Sequence, residues 1–475
     1  NPAADNAEIT AVASGTLPDG KAVIVNSDGT VSVVSLSAES VSESVGGQTQ
    51  YNTTTFSIST AYDESANRVV ISYRDNGNSG YGKVIVGSVS GTSITFGTEV
   101  TFAGSAISYT SVCYDQNAEK IVVSYQGPSS YVYAIVGTVT AGSNSVSFGT
   151  PVAVQSTAVT FTDVTYHEAA QKVVLSYMTS SPEYGRMAVG TVSGTSISFG
   201  ALNYFEYAGS QEIRGTYDPD SEQVITCYID KGNQYKPTAV TMAVSGTSVT
   251  AGTPVLIENV AITSREIGVA YDRAAGKAVV VYGNGRAAVG TVSGTSISFG
   301  TPVSFDGTTQ PRYASPVYDS NAEQIIVSYM WTDGNSGKGY IRRGTISGTN
   351  ISFSARTTFM GSGYPQFISS AFDTVSGYAL IAYSSDQQSD YGYANLYRAP
   401  YTAYVTNLTT ENFIGFTDGA AADTGRARVQ IGCSINTAQS SLTAGQQYFV
   451  QTDGTLGLTA ADPSVIAGTA ISATE

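Results

Sequence analysis

The chain has 475 residues, with 22 Lys and Arg against 37 Asp and Glu, and a formal charge of −15. Only 12% of its residues are charged and no basic run exists, which excludes a nucleic-acid binder working through phosphate contacts. One His and three scattered Cys leave no ordinary zinc site and no disulfide framework, and no apolar run reaches the roughly 18 residues of a membrane span, so membrane insertion is not expected.

Read from the N-terminus, the first pattern is two short apolar runs, Ile9 to Ser14 and Ala22 to Val25, joined by Leu17-Pro18-Asp19-Gly20. The same plan then recurs in a fuller form. An aromatic residue, usually followed by Asp, is trailed by a polar turn, an apolar run and a Tyr eleven positions on. The leading aromatics are Tyr62, Tyr114, Tyr166, Tyr217, Tyr271, Tyr318 and Phe372; the trailing ones are Tyr73, Tyr125, Tyr177, Tyr228, Tyr282, Tyr329 and Tyr383.

Each unit predicts four strands. In the first full copy these are Phe56 to Tyr62, Val69 to Tyr73, Lys83 to Val89 and Ser93 to Gly97. The residues are β-branched and aromatic, and Gly, Asn, Asp and Ser fill the gaps. Ser-Gly-Thr at 90–92, 193–195, 245–247, 293–295 and 347–349 reads as the hairpin between strands three and four. The innermost strand should be crowded, and Ser59, Thr60 and Ala61 are small enough for it.

Four antiparallel strands per unit of ~50 residues, repeated radially, predict an all-β fold: a β-propeller of four-stranded blades. Counting the N-terminal copy gives eight blades as the preferred number; seven blades plus an N-terminal arm is the alternative. The propeller should span residues 1–400. Residues 401–475, where the repeat stops, should form a small β domain for attachment or oligomerisation. The 13 residues from Ala188 to Gly200 recur identically at Ala288 to Gly300, so most of each blade serves packing.

His167 stands in the slot that is otherwise Asp63, Asp115, Asp218, Asp272, Asp319 and Asp373, so it reads as a turn residue. Cys113 and Cys227 fall at slots of small apolar residues. No catalytic residues emerge, and no cofactor is expected. Calcium is the one cation that the oxygen-rich loops at 75–80 and 333–337 would suit, but each holds a single carboxylate and fits an ordinary turn better. The loops between strands two and three are the variable ones. They carry Tyr81, Tyr131, Tyr184, Tyr235, Trp331, Tyr340 and Tyr391, with Asp75 and Asp333 beside them. Rigid rings next to carboxylates suit glycan or protein contacts, and this face is the candidate ligand-binding surface.

Strings such as Tyr81-Gly82-Lys83-Val84-Ile85-Val86-Gly87, and the run from Val189 to Gly200, resemble propeller-repeat structural proteins of tailed bacteriophages of the marine and cyanobacterial type. The C-terminal stretches Asn407 to Phe416, Gly445 to Leu456 and Ala467 to Thr474 resemble the small β domain that ends many phage fibre and virion proteins. The resemblance implies a non-enzymatic, fibre-like virion surface protein, located on the virion or extracellularly. It would contact other virion proteins, or copies of itself, through residues 401–475, and host-surface glycans through the propeller. A self-assembling extracellular filament subunit or adhesin, and a glycan-degrading enzyme, are the alternatives.

Overall fold

The structure is a computed structural model, and it describes residues 7–262, 266–283, 285–307, 311–332, 337–386, 389–432 and 434–475. The chain divides into two compact units, Ser42–Pro400 and, separately, the residues up to Val41 together with Tyr401–Glu475.

The larger unit is a propeller of seven blades. The first blade shows the plan: inner strand Thr55–Asp63, then Arg68–Asp75, Tyr81–Ser90, and an outer strand broken into Ser93–Phe96 and Val100–Ala106, both halves pairing with Tyr81–Ser90. The predicted strands are all present, and the second half of the outer strand is an addition that the sequence pattern did not show. The remaining inner strands are Ser108–Asp115, Val159–His167, Ser210–Asp218, Ile267–Asp272, Arg312–Asp319 and Pro365–Asp373, and they contact one another in order around a closed ring.

The count of eight blades is corrected to seven. In the seventh blade the outer strand comes from Ser44–Val45 and Thr49–Asn52, which pair with Tyr391–Arg398 and close the ring. The N-terminal copy is no blade. Glu8–Val12 pairs with Arg426–Gln430, and Ala22–Val25 pairs with Phe413–Thr417, in one five-stranded sheet of the smaller unit. The physical reason lies in what this copy lacks: it has no aromatic–Asp pair to grip a neighbouring blade. Its apolar side chains Ala13, Leu17 and Val23 instead share a core with Ala421, Ala427 and Val429. The small β domain is thus completed by N-terminal residues, and the propeller begins at Ser42 rather than at residue 1.

The repeated residues are the contacts between blades. The turn Asp accepts backbone N–H bonds, as Asp63 does from Ala66 at 2.9 Å and Asp319 from Ala322 at 3.0 Å. His167 does the same through Nδ1, which accepts from the Ala170 amide at 3.2 Å, while Nε2 bonds the Glu222 carbonyl at 3.1 Å. Burial holds its pKa below the ordinary value, so the neutral ring is the form that fits. In blades two to five the leading Tyr reaches the turn of the blade before it. The hydroxyls of Tyr114, Tyr166 and Tyr217 accept from the amides of Ser65, Asn117 and Ala169 at 3.1–3.2 Å. Cys227 is buried among apolar side chains, as its slot implies, and Cys433 lies outside the described residues.

A third contact explains Phe-Gly and Ser-Gly-Thr together. A Cβ added to Gly149, Gly200 or Gly300 would fall on the carbonyl oxygen of Thr195, Thr247 or Thr349 in the hairpin of the next blade. Blade six has Ser354 at this slot, and the blade after it has no such hairpin, because its outer strand arrives from residues 44–52. Replacing Gly149 by Ala should therefore lower stability by about 1–3 kcal/mol, since backbone must move to admit the methyl. Gly104→Ala, where a Cβ meets nothing within 4 Å, should be close to neutral. Urea midpoints of the two variants measure the difference.

Candidate functional site

The predicted loop-face residues occupy separate blades. Tyr81 begins a third strand opposite Asp75 and Ala106. Tyr131 follows a short turn over Pro128–Ser130, and Tyr235 packs onto a core cluster of its own blade and the next. Tyr184 lies 5.6 Å from the ring of Tyr204 and 5.8 Å from that of Tyr207, and Tyr391 lies 6.4 Å from Tyr393. Trp331 and Tyr340 are 6.2 Å apart, with the Arg356 guanidinium 5.3 and 5.1 Å from their centroids and bonded to the buried Asp306. All seven rings are half-buried. Asp75 caps its loop by accepting from the Asn78 amide at 3.2 Å, and Asp230 does likewise with Asn233 at 3.1 Å. Asp333 lies outside the described residues. Among the described residues no three His, Cys, Asp or Glu side chains are grouped to hold a metal.

What the fold does bring together is a ring of residues at the start of the inner strands, five positions before each leading aromatic. Those residues are Ser57, Tyr109, Phe161, Glu212, Glu266, Tyr313 and Phe367, one from each blade, and all line a central cavity of about 770 Å³. None of the nine predicted residues lines it. Because Thr55 pairs with Asp75, and Asp75 with Tyr81, this end of the cavity opens on the same face as the variable loops.

The ring is held by a repeated bulge. Register slips between Phe56 and Ser59, Ser108 and Ser111, Thr160 and Asp163, and at the matching points of three further blades. At each bulge the ring residue has a left-handed backbone, φ 49–54° for Ser57, Tyr109, Phe161, Glu212, Tyr313 and Phe367. For a residue with a Cβ this conformation costs on the order of 1–2 kcal/mol. It bends the strand so that the side chain lines the cavity.

The ring has two halves. On one side the aromatic rings lean on one another: Tyr109 on Phe161 at 4.8 Å, Phe56 on Phe367 at 5.4 Å, Tyr313 on Phe367 at 5.5 Å. On the other side Glu212 lies 3.9 Å from Arg214, and Glu266 lies 3.6 Å from Arg312. Glu266 also accepts from the amide of Tyr313. Burial pushes the Glu266 carboxyl up to about 7, against the pull of that amide and of Arg312, and the charge of Glu212 adds to the rise. Burial likewise raises Glu212, with Arg214 opposing it.

The sign of the pH dependence follows. A carboxyl whose folded pKa is raised stabilises the fold fully below its unfolded value, and that contribution is lost as pH rises through the folded value. For Glu266 the window runs from 4.5 to about 7. Glu266→Gln, which keeps the acceptor for Tyr313, should therefore gain stability relative to the parent chain as pH rises from about 5 to 8, by an amount on the order of 2 kcal/mol. Melting temperatures of the pair across that range measure it.

Residues 234–343 match the sequence model of the phage cement protein family. The match covers less than a quarter of the chain, and runs from the third strand of blade four to that of blade six. Among solved structures, a protein from Lactobacillus plantarum aligns with a TM-score of 0.48 at 13% identity, over 73% of this chain and 97% of that one. Saccharomyces cerevisiae Sqt1 aligns with a TM-score of 0.45 at 8% identity, over 75% of this chain and 99% of that one. No curated protein matches the chain. The cement-family match supports a phage structural protein, in keeping with the resemblance of the repeats.

Proposed function

We propose that this chain is a non-enzymatic structural protein of a phage virion, attached through its smaller unit and displaying the propeller. The match of residues 234–343 to the phage cement family is the observation that carries the virion assignment. Attachment draws on where apolar surface is left uncovered. Of thirteen exposed large apolar side chains among the described residues, ten belong to the smaller unit: Ile9, Val12, Val25, Leu36, Tyr404, Val405, Ile435, Leu458, Ile466 and Ile471. The propeller, three times as long, exposes only Tyr207, Val260 and Val375. This concentration of exposed apolar side chains in the smaller unit is what supports it as the unit that meets a partner.

The partner is another virion protein or a second copy of the chain, and the propeller's loop face is the surface offered to host-surface glycans. The attachment surface includes the N-terminal residues up to Val41, because they complete the smaller unit's main sheet. Ile466→Asp with Ile471→Asp, both more than half exposed, should leave the melting temperature nearly unchanged and reduce incorporation into particles. Electron microscopy of particles carrying the parent chain is the direct test. Smaller units seated on neighbouring virion proteins are expected; absence of the chain from purified particles, or wild-type incorporation of the double variant, would contradict the proposal.

A further inference from the structure

We propose that the mouth of the central cavity is a binding site for a neutral carbohydrate, taken as a single pyranose ring lying against the aromatic half and hydrogen-bonded by the charged half. The inference rests on the display reading for its biological setting, while binding by the isolated chain stands or falls separately.

Three features lead to this ligand. First, the aromatic half is built from residues that their backbone conformation disfavours. At four of the six left-handed positions the residue is Tyr or Phe, where Asn, Asp or Gly would fit that backbone with less strain. Retaining Tyr109, Phe161, Tyr313 and Phe367 there gives the cavity wall flat apolar faces, and such faces stack on the C–H face of a sugar.

Second, the wall carries acids and bases in equal number, and the charges balance once pH exceeds the raised range of its carboxyls. Among the described residues the acids lining the cavity are Asp163, Glu212 and Glu266, and the bases are Arg74, Arg214 and Arg312. An anion would meet three carboxylates and a cation three guanidiniums. A neutral polyhydroxylated ring is repelled by neither and uses both, since carboxylates accept from hydroxyls and guanidiniums donate to them.

Third, the Glu–Arg contacts at 3.9 and 3.6 Å are long for charge-assisted bonds, and Arg214 and Arg312 are each 47% exposed, so capacity remains on both partners. A cavity of about 770 Å³ is in the range of small-ligand sites. It opens on the loop face, so the end of a glycan chain can enter it. The inference also moves glycan recognition from the loop rings, which the fold keeps in separate blades, to a place where all seven blades contribute side chains to one wall.

The test is saturation-transfer NMR of the full chain with glucose, galactose, mannose, N-acetylglucosamine and their disaccharides, beside glucuronate and glucosamine as charged probes. Saturation of at least one neutral sugar is expected, with binding weakened about tenfold or more by Tyr109→Ala and by Glu212→Gln, and unchanged by Tyr81→Ala. Glu212→Gln keeps side-chain size at the cavity wall, and circular dichroism of each variant separates lost binding from lost folding. No saturation of any neutral sugar, binding of the charged probes alone, or binding abolished by Tyr81→Ala but not by the cavity variants would each overturn the proposal. Sugar binding by a chain absent from particles would instead overturn the virion assignment and leave the site standing.

Discussion

Seven inner strands packed around an axis cannot share a β-ladder, so the edge that each turns toward its neighbour must be satisfied some other way. Side chains do this. The residue three before the leading aromatic accepts from a backbone N–H in the next blade: Ser59 from Val112 at 3.0 Å, Ser111 from Val164 at 3.2 Å, Ser315 from Ser370 at 3.0 Å, and Ser369 from Thr60 at 3.1 Å. Asp163 takes the same bond from Gly215. Two of the seven slots depart from this: Gly268 in blade five faces Pro316 of blade six, which has no N–H, and Arg214 in blade four has no acceptor to offer Val269 of blade five. An orphaned buried amide costs more than a hydrogen bond returns, and small polar residues fill the other five slots.

The same logic repeats outward. Tyrosine hydroxyls meet turn amides near the ends of the inner strands, and glycines meet hairpin carbonyls at the rim. The recurring strings are therefore the two halves of one interface, repeated, and a blade can be duplicated only with both halves intact. The identical copies at 188–200 and 288–300 fit this constraint. The cavity mouth follows it only in part: Ser57 accepts from Thr110 and Glu266 from Tyr313 of the next blade, and elsewhere the residue at this slot changes from blade to blade.

Most of the propeller was legible because strand, turn and aromatic slots repeat in register. Blade number was not. Whether Ile9 to Val25 forms a blade depends on its pairing partner, and those partners are Phe413–Thr417 and Arg426–Gln430, about four hundred residues away. Closure by Ser44–Asn52 was hidden for the same reason: a two-residue strand and a four-residue strand carry little period of their own. The loop face was legible as a face, since Tyr81, Trp331 and their counterparts stand out against tight turns. That they do not converge follows from ring geometry. The cavity ring had a signal available, a slot five before each leading aromatic that holds Ser, Tyr, Phe or Glu. Only the bulge, which rotates that slot onto the cavity, gives it meaning.

Amide hydrogen exchange of the full chain, resolved by residue, tests the central claim most directly. If side-chain acceptors close the ring, the amides of Thr60, Val112, Val164 and Ser370 are protected to the same degree as ladder amides in the buried second strands, although no β-ladder joins them to the next blade. Exchange of these four at the rate of exposed turn amides would contradict that account of how the blades are held together.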